Sequence, residues 1–187
     1  MGKGIEYFVD GSKFEGLYEN GSKKKGKFLW NDGSFYDGDI KNNLFDGNGM
    51  FHWQEGREYK GEWKNGKMDG KGVMKYLDGA KYEGEFHNGK REGLGLYWFN
   101  KNKYYEGYWI NGKQDGNGYL FNKGKETRGI WNKGSLIVNL NQQARISNIS
   151  MTNVDLDTKS VFMNKSKLYN SMTFSSESST NKNTKKS

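Results

Sequence analysis

The chain has 187 residues, with 30 basic and 22 acidic side chains, a net charge of +8, 27 glycines, no proline and no cysteine. The missing cysteine excludes a disulfide framework and thiol chemistry. Charge this mixed excludes the clustered Lys/Arg stripe of a nucleic-acid surface, and no apolar run approaches the length of a membrane-crossing helix.

The chain starts Met1-Gly2-Lys3-Gly4-Ile5-Glu6. Glu6 stands where the myristoylation pattern requires Ser or Thr, so the start is read as unlipidated. From Gly4 onward two glycine markers keep one period. The glycine of an aromatic–charged–Gly step falls at Gly16, Gly38, Gly61, Gly84, Gly107 and Gly129, at spacings of 22, 23, 23, 23 and 22. A second marker falls at Gly4, Gly26, Gly49, Gly72, Gly95 and Gly118, at spacings of 22 and then 23 four times. A fixed period of this length is the signature of stacked supersecondary units. A partial unit at 2–13 leads five units that begin near Phe14, Tyr36, Tyr59, Tyr82 and Tyr105, and a partial unit at 128–136 closes the array. The unit from Phe14 departs most, because Lys24 replaces the first glycine of the Gly-x-Gly pair.

Each unit carries two turn signals. One is Asn-Gly or a variant: Asn20-Gly21, Asn42-Asn43, Asn65-Gly66, Asn88-Gly89 and Asn111-Gly112. The other is Asp-Gly or a variant: Asp10-Gly11, Asp32-Gly33, Glu55-Gly56, Asp78-Gly79 and Lys123-Gly124. Both types accept the positive φ of tight hairpin turns. Two turns per unit predict two short strands per unit, and about eleven antiparallel strands in all. In Tyr59-Lys60-Gly61-Glu62-Trp63-Lys64 the odd positions are apolar and the even ones charged, which predicts one aromatic and one charged face. A glycine between two rings on one face predicts a ring lying flat over bare backbone.

A compositional boundary falls near Leu136–Leu140: every glycine and every tryptophan precedes residue 137, and the last 51 residues hold ten serines. Residues 1–136 are therefore read as the repeat domain and 137–187 as a polar, mostly irregular C-terminal tail, with Ser135–Leu140 as a candidate last strand.

The unit Tyr59-Lys60-Gly61-Glu62-Trp63-Lys64-Asn65-Gly66-Lys67, followed by Gly70-Lys71-Gly72 and Tyr76-x-Asp78-Gly79, resembles a MORN repeat (membrane occupation and recognition nexus). The resemblance covers residues 2 to 136. It implies an all-β fold: one β-hairpin per repeat, stacked into an elongated single-layer antiparallel sheet.

No catalytic, cofactor-binding or metal site is expected. His52 and His87 belong to no ligand spacing. Gly70-Lys71-Gly72 precedes a strand pattern and not the helix that a phosphate loop requires. Acids such as Glu83 and Glu85 recur in register with the repeat, which points to a structural role. The expected function is a non-enzymatic scaffold that binds protein partners through the tail and an aromatic face: Tyr36, Tyr59, Trp63, Tyr82, Phe86, Tyr105, Trp109 and Trp131. The resemblance implies a cytoplasmic, cytoskeletal location, foremost a cilium or flagellum, with axonemal or radial spoke proteins as partners. The alternative it implies is a peripheral membrane adaptor for anionic lipid or phosphoinositide, carried by Lys60, Lys64, Lys67, Lys71 and Lys75. No nucleic acid, small-molecule substrate or cofactor is expected.

Overall fold

The computed structural model of the chain describes residues 1–142. Thirteen strands form one antiparallel sheet in strict sequence order. They are β1 (Gly2–Tyr7), β2 (Lys13–Glu19), β3 (Ser22–Leu29), β4 (Phe35–Lys41), β5 (Leu44–His52), β6 (Glu58–Lys64), β7 (Lys67–Lys75), β8 (Lys81–His87), β9 (Lys90–Asn100), β10 (Lys103–Ile110), β11 (Lys113–Asn122), β12 (Lys125–Asn132) and β13 (Ser135–Asn139). The chain is all-β as the repeat predicts, but the count of about eleven strands falls two short. The half unit near Arg128 completes as β12, and Lys133-Gly134 turns it onto β13 with Lys133 at φ 48°. Of the segment read as tail, residues 137–139 belong to β13, and 143–187 lie outside the described residues.

Two rows of turns border the sheet. Along one row, the Asn-Gly pairs make two-residue turns, with Asn65 at φ 49° and Gly66 at φ 78°. The right-handed twist of the flanking strands demands such positive φ values. Along the other row, five-residue loops close with the first N–H on the last carbonyl, as from Phe8 to Ser12 (2.9 Å) and from Trp30 to Ser34 (3.0 Å). Asp10 and Asp32 brace these loops by accepting the backbone N–H and the hydroxyl of Ser12 and Ser34. Those bonds hold both carboxyls below the ordinary carboxylate range. Where the Asp-Gly signal is missing, Lys101-Asn102 turns in two residues, and the Asn100 side chain accepts the Asn102 N–H (2.9 Å).

One glycine from each of the first twelve strands lies in a single row across the sheet. Gly4 faces Gly16, which faces Gly26, and the row runs on through Gly38, Gly49, Gly61, Gly72, Gly84, Gly95, Gly107 and Gly118 to Gly129. The two periodic markers of the sequence are the two halves of this row. A ring covers it, as the flanking aromatics predict. A Cβ on Gly61 would lie 2.6 Å from the Tyr59 hydroxyl, and one on Gly72 would lie 2.6 Å from Tyr59 Cζ. Tyr36, Tyr82 and Tyr105 cover Gly38/Gly49, Gly84/Gly95 and Gly107/Gly118 in the same way. Each phenol donates to the carbonyl three residues on: Tyr36 to Asp39, Tyr59 to Glu62, Tyr82 to Glu85 and Tyr105 to Tyr108, at 2.8, 2.9, 3.0 and 3.3 Å.

Beyond the glycine row the strands bulge. Gly61 faces Gly72, yet Trp63 faces Met68, so β7 spends two more residues than β6 over this stretch. Gly70 takes φ 103° there, and the Glu62 carboxylate folds into the bulge to accept the Lys71 N–H at 2.9 Å. Gly47, Gly93 and Gly116 repeat this backbone turn. In β3 the bulge is one residue shorter, since Leu17 faces Lys25 and Tyr18 faces Lys23. Lys24 therefore needs no positive φ, and the shorter bulge accounts for the 22-residue spacing at that end.

Candidate partner-binding surface

The glycine row determines which rings are core. With no side chain beneath it, each tyrosine ring lies flat on the sheet, and a ring two strands on closes edge-first against it. Trp63 packs on Tyr36 and Tyr59 at 5.5 and 5.2 Å between centroids, and Phe86 on Tyr59 and Tyr82 at 5.0 and 5.1 Å. Trp109 packs on Tyr82 and Tyr105 at 5.3 and 5.5 Å, and Trp131 on Tyr105 at 5.1 Å. Near-perpendicular rings at these distances are the favoured aromatic geometry. The indoles of Trp63 and Trp109 also donate to the carbonyls of Gly49 and Gly95, both at 3.1 Å.

This corrects the sequence reading of the aromatic face. Tyr36, Tyr59, Trp63, Tyr82, Phe86, Tyr105, Trp109 and Trp131 are all buried, none more than 7% exposed. They form a zipper of alternating tyrosine and tryptophan or phenylalanine, and a partner cannot reach them without opening the sheet. Burial also raises the phenols of Tyr36, Tyr59 and Tyr105 far above the ordinary tyrosine range, with nearby carboxylates adding to the shift.

The rings a partner can reach lie beside the zipper, along the row of five-residue loops. Phe8, Phe28, Trp30, Phe51, Trp53, Tyr76, Tyr97 and Phe99 are half-buried and pack on the core from outside. Phe8 stacks on Phe28 (5.2 Å), and tilted contacts run on from Phe28 to Trp30 (4.5 Å), Trp30 to Phe51 (5.4 Å) and Phe51 to Trp53 (4.6 Å). Tyr97 contacts Tyr76 (5.9 Å) and Phe99 (4.8 Å). Cations sit over this row: Arg57 over Trp53 at 4.8 Å, Arg91 over Tyr97 at 5.1 Å and Lys103 over Phe99 at 4.4 Å. The row joins apolar area to fixed positive charge, a composition typical of interface anchors.

The opposite face matches the charged expectation only in part. From β9 to β11 it becomes apolar. Trp98 faces Tyr104, which faces Phe121, and Leu96 faces Glu106, which faces Tyr119. Tyr104 and Phe121 stack at 5.2 Å. Burial among these neighbours raises the Glu106 carboxyl above its ordinary value. The signal was present in Leu94-Gly95-Leu96-Tyr97-Trp98-Phe99, where both phases of the alternation are apolar.

A further set of acids recurs with the repeat and braces its turns. Asp46, Asp69, Glu92 and Asp115 each accept the first N–H of the next Asn-Gly-type turn, from Asn65, Asn88, Asn111 and Lys133 at 2.9 to 3.1 Å. Each bulge thereby holds the hairpin that follows it. Glu62, Asp69, Glu85, His87 and Glu92 line an open groove of about 540 Å³, but these hydrogen bonds already occupy oxygens of Glu62, Asp69 and Glu92. His87 sits at the surface, its Nδ1 3.0 Å from Asp69. Among the described residues no cluster of His, Cys, Asp and Glu is arranged to hold a metal ion, and no helix is long and apolar enough to cross a membrane.

Compared with known families, the chain matches the MORN repeat over residues 1–13, 36–56, 59–81, 82–103 and 105–126. The matched residues leave out 14–35, the unit with the short bulge at Lys24. No curated protein matches the sequence.

Proposed function

This chain belongs to the MORN-repeat family, and from that premise we propose that it is a non-enzymatic scaffold joining protein subunits of a cytoskeletal assembly. The family is one of interaction repeats, and the sheet presents extended surface where an enzyme presents a pocket. The observation that carries the reading is the row from Phe8 to Phe99. It is half-exposed, built of two runs of ring contacts, Phe8 to Trp53 and Tyr76 to Phe99, and studded with cations, and it lies outside the core that keeps the sheet folded. A partner segment with apolar side chains and acidic groups fits it.

The assembly we propose is a ciliary or flagellar axoneme, with radial-spoke-like neighbours. The support is the likeness to the MORN-repeat family and a composition rich in Lys and Asn, 26 and 21 residues. The membrane-adaptor alternative finds less support: Lys75 is paired with Glu58 at 3.0 Å, and Glu62 stands between Lys60 and Lys64 on the same face.

The test is to tag the protein in its own cell, image it and label its neighbours. Signal along axonemes with axonemal neighbours supports the proposal. Signal at a membrane, joined with salt-sensitive sedimentation on vesicles containing anionic lipid, overturns it in favour of the adaptor.

A further inference from the structure

From β2 to β11, each Asn-Gly-type turn joins an even-numbered strand to the odd-numbered strand after it, and one ring covers the glycine pair at the centre of that hairpin. Phe14 covers Gly16 and Gly26, and Tyr36 covers Gly38 and Gly49. β1 is an odd-numbered strand whose even-numbered neighbour is missing among the described residues. Its Gly4 opens the glycine row with the Tyr18 ring over it and, among the described residues, no strand on its outer side.

The hydrogen-bond phase shows what β1 offers outward. Phe8 N–H donates to the Ser12 carbonyl, and bonded and unbonded pairs alternate along an antiparallel ladder. Gly2, Gly4 and Glu6 therefore bond inward to β2, while Lys3, Ile5 and Tyr7 direct their N–H and C=O groups away from the sheet. The same rule, applied from the Trp30–Ser34 bond, makes Gly26/Gly38 a bonded pair and Gly38/Gly49 an unbonded one. The ring-covered glycine pairs are thus of the unbonded kind, in which Cα atoms approach most closely.

We propose that the outer edge of β1 pairs antiparallel with β1 of a second copy of this chain, Gly4 facing Gly4 across a two-fold axis perpendicular to the sheet. In that register Gly4 forms an unbonded pair, the kind every ring-covered glycine pair already makes. Lys3 of one copy exchanges backbone hydrogen bonds with Ile5 of the other, and Met1 faces Tyr7. Met1, Ile5 and Tyr7 are 83%, 55% and 74% exposed in the single chain, so the pairing covers apolar surface. The perpendicular axis places both ring rows on the same side of one continuous sheet.

The other edge does not compete on equal terms. β13 has five residues, and its register shifts between Ile130 and Trp131. Shortness and irregularity are devices that protect an edge from pairing; β1 has an unbroken register over six residues and no proline. Pairing of like edges closes at a dimer, whereas pairing of β1 with β13 would run on into a filament. The contact does not involve the ring row, so it stands or falls independently of the partner proposed above.

Sedimentation velocity of the full chain over a wide concentration range tests it. The expected species is a dimer. Ile5→Pro removes an outward N–H and none of the bonds to β2, an edge position that tolerates proline, so this variant is expected to sediment as a monomer with an unchanged far-UV spectrum. Ile5→Lys sets a second ammonium opposite Lys3 of the other copy and is expected to raise the dimer dissociation constant roughly tenfold at low salt. It carries the test should the proline variant fail to fold. A wild-type chain that stays monomeric, a dimer that survives the folded variants, or growth beyond the dimer overturns the proposal.

Discussion

The Tyr59 ring lies so close over Gly72 that a methyl group on that glycine would sit 2.6 Å from Cζ of the phenol. The contact joins two strands, because Tyr59 belongs to β6 and Gly72 to β7. It recurs in each hairpin from β4 to β11, so one substitution samples the device that holds the sheet together. Gly72→Ala is expected to lower stability by about 1–3 kcal/mol through overpacking. Gly2→Ala, with nothing within 4 Å, is expected to stay within about 0.5 kcal/mol of the parent. Urea midpoints of the two variants check the difference.

Removing only the phenol oxygen separates the ring from its hydrogen bond. Tyr59→Phe loses the 2.9 Å bond to the Glu62 carbonyl and is expected to cost about 1 kcal/mol. Tyr105→Phe loses a 3.3 Å bond to Tyr108 and is expected to cost less. No cost at either position would mean that these bonds contribute nothing beyond ring packing.

The buried phenols also set an alkaline limit. Burial raises Tyr36, Tyr59 and Tyr105 above the value near 10 that they take in the unfolded chain. An acid raised on folding keeps its proton longer in the folded state, so the folded state is favoured most below that value. Stability is then lost as pH climbs beyond about 10. Phenolate absorbance is expected to show these buried tyrosines ionising together with unfolding.

Glu106 obeys the same sign at lower pH. Its raised carboxyl favours the folded state below the ordinary glutamate value, and the advantage disappears as pH rises through the folded value. Glu106→Gln is expected to remove that pH dependence and raise the melting temperature at neutral pH by about 2–4 °C. A lower melting temperature would show that the charged carboxylate has a favourable partner.

Much of this fold is legible in the sequence because its rules are local. Asn65-Gly66 demands a tight turn, and Gly61 two residues after Tyr59 demands a ring over bare backbone. Periodicity then repeats both. Depth was not legible. Alternation places Tyr59, Phe51 and Met74 on one face, but only the stacking of Trp63 and Phe86 across strands decides that Tyr59 is core while Phe51 stays half-exposed. The bulge at Gly70 was hidden for a related reason: its two extra residues appear only when Gly72 and Met68 are paired with β6. The apolar end of the opposite face was readable at Leu94–Phe99, where the alternation fails, and Tyr108 was its visible departure.

The central claim is that partners engage the outer ring row and leave the buried zipper closed. Proximity labelling in the native cell tests it most directly, comparing the parent with a Trp30→Ala, Trp53→Ala double variant. Both indoles are half-exposed, so the variant is expected to keep its far-UV spectrum and most of its stability while losing the parent's specific neighbours. A folded double variant that retains the same neighbours would contradict the account and move the interface off this face of the sheet.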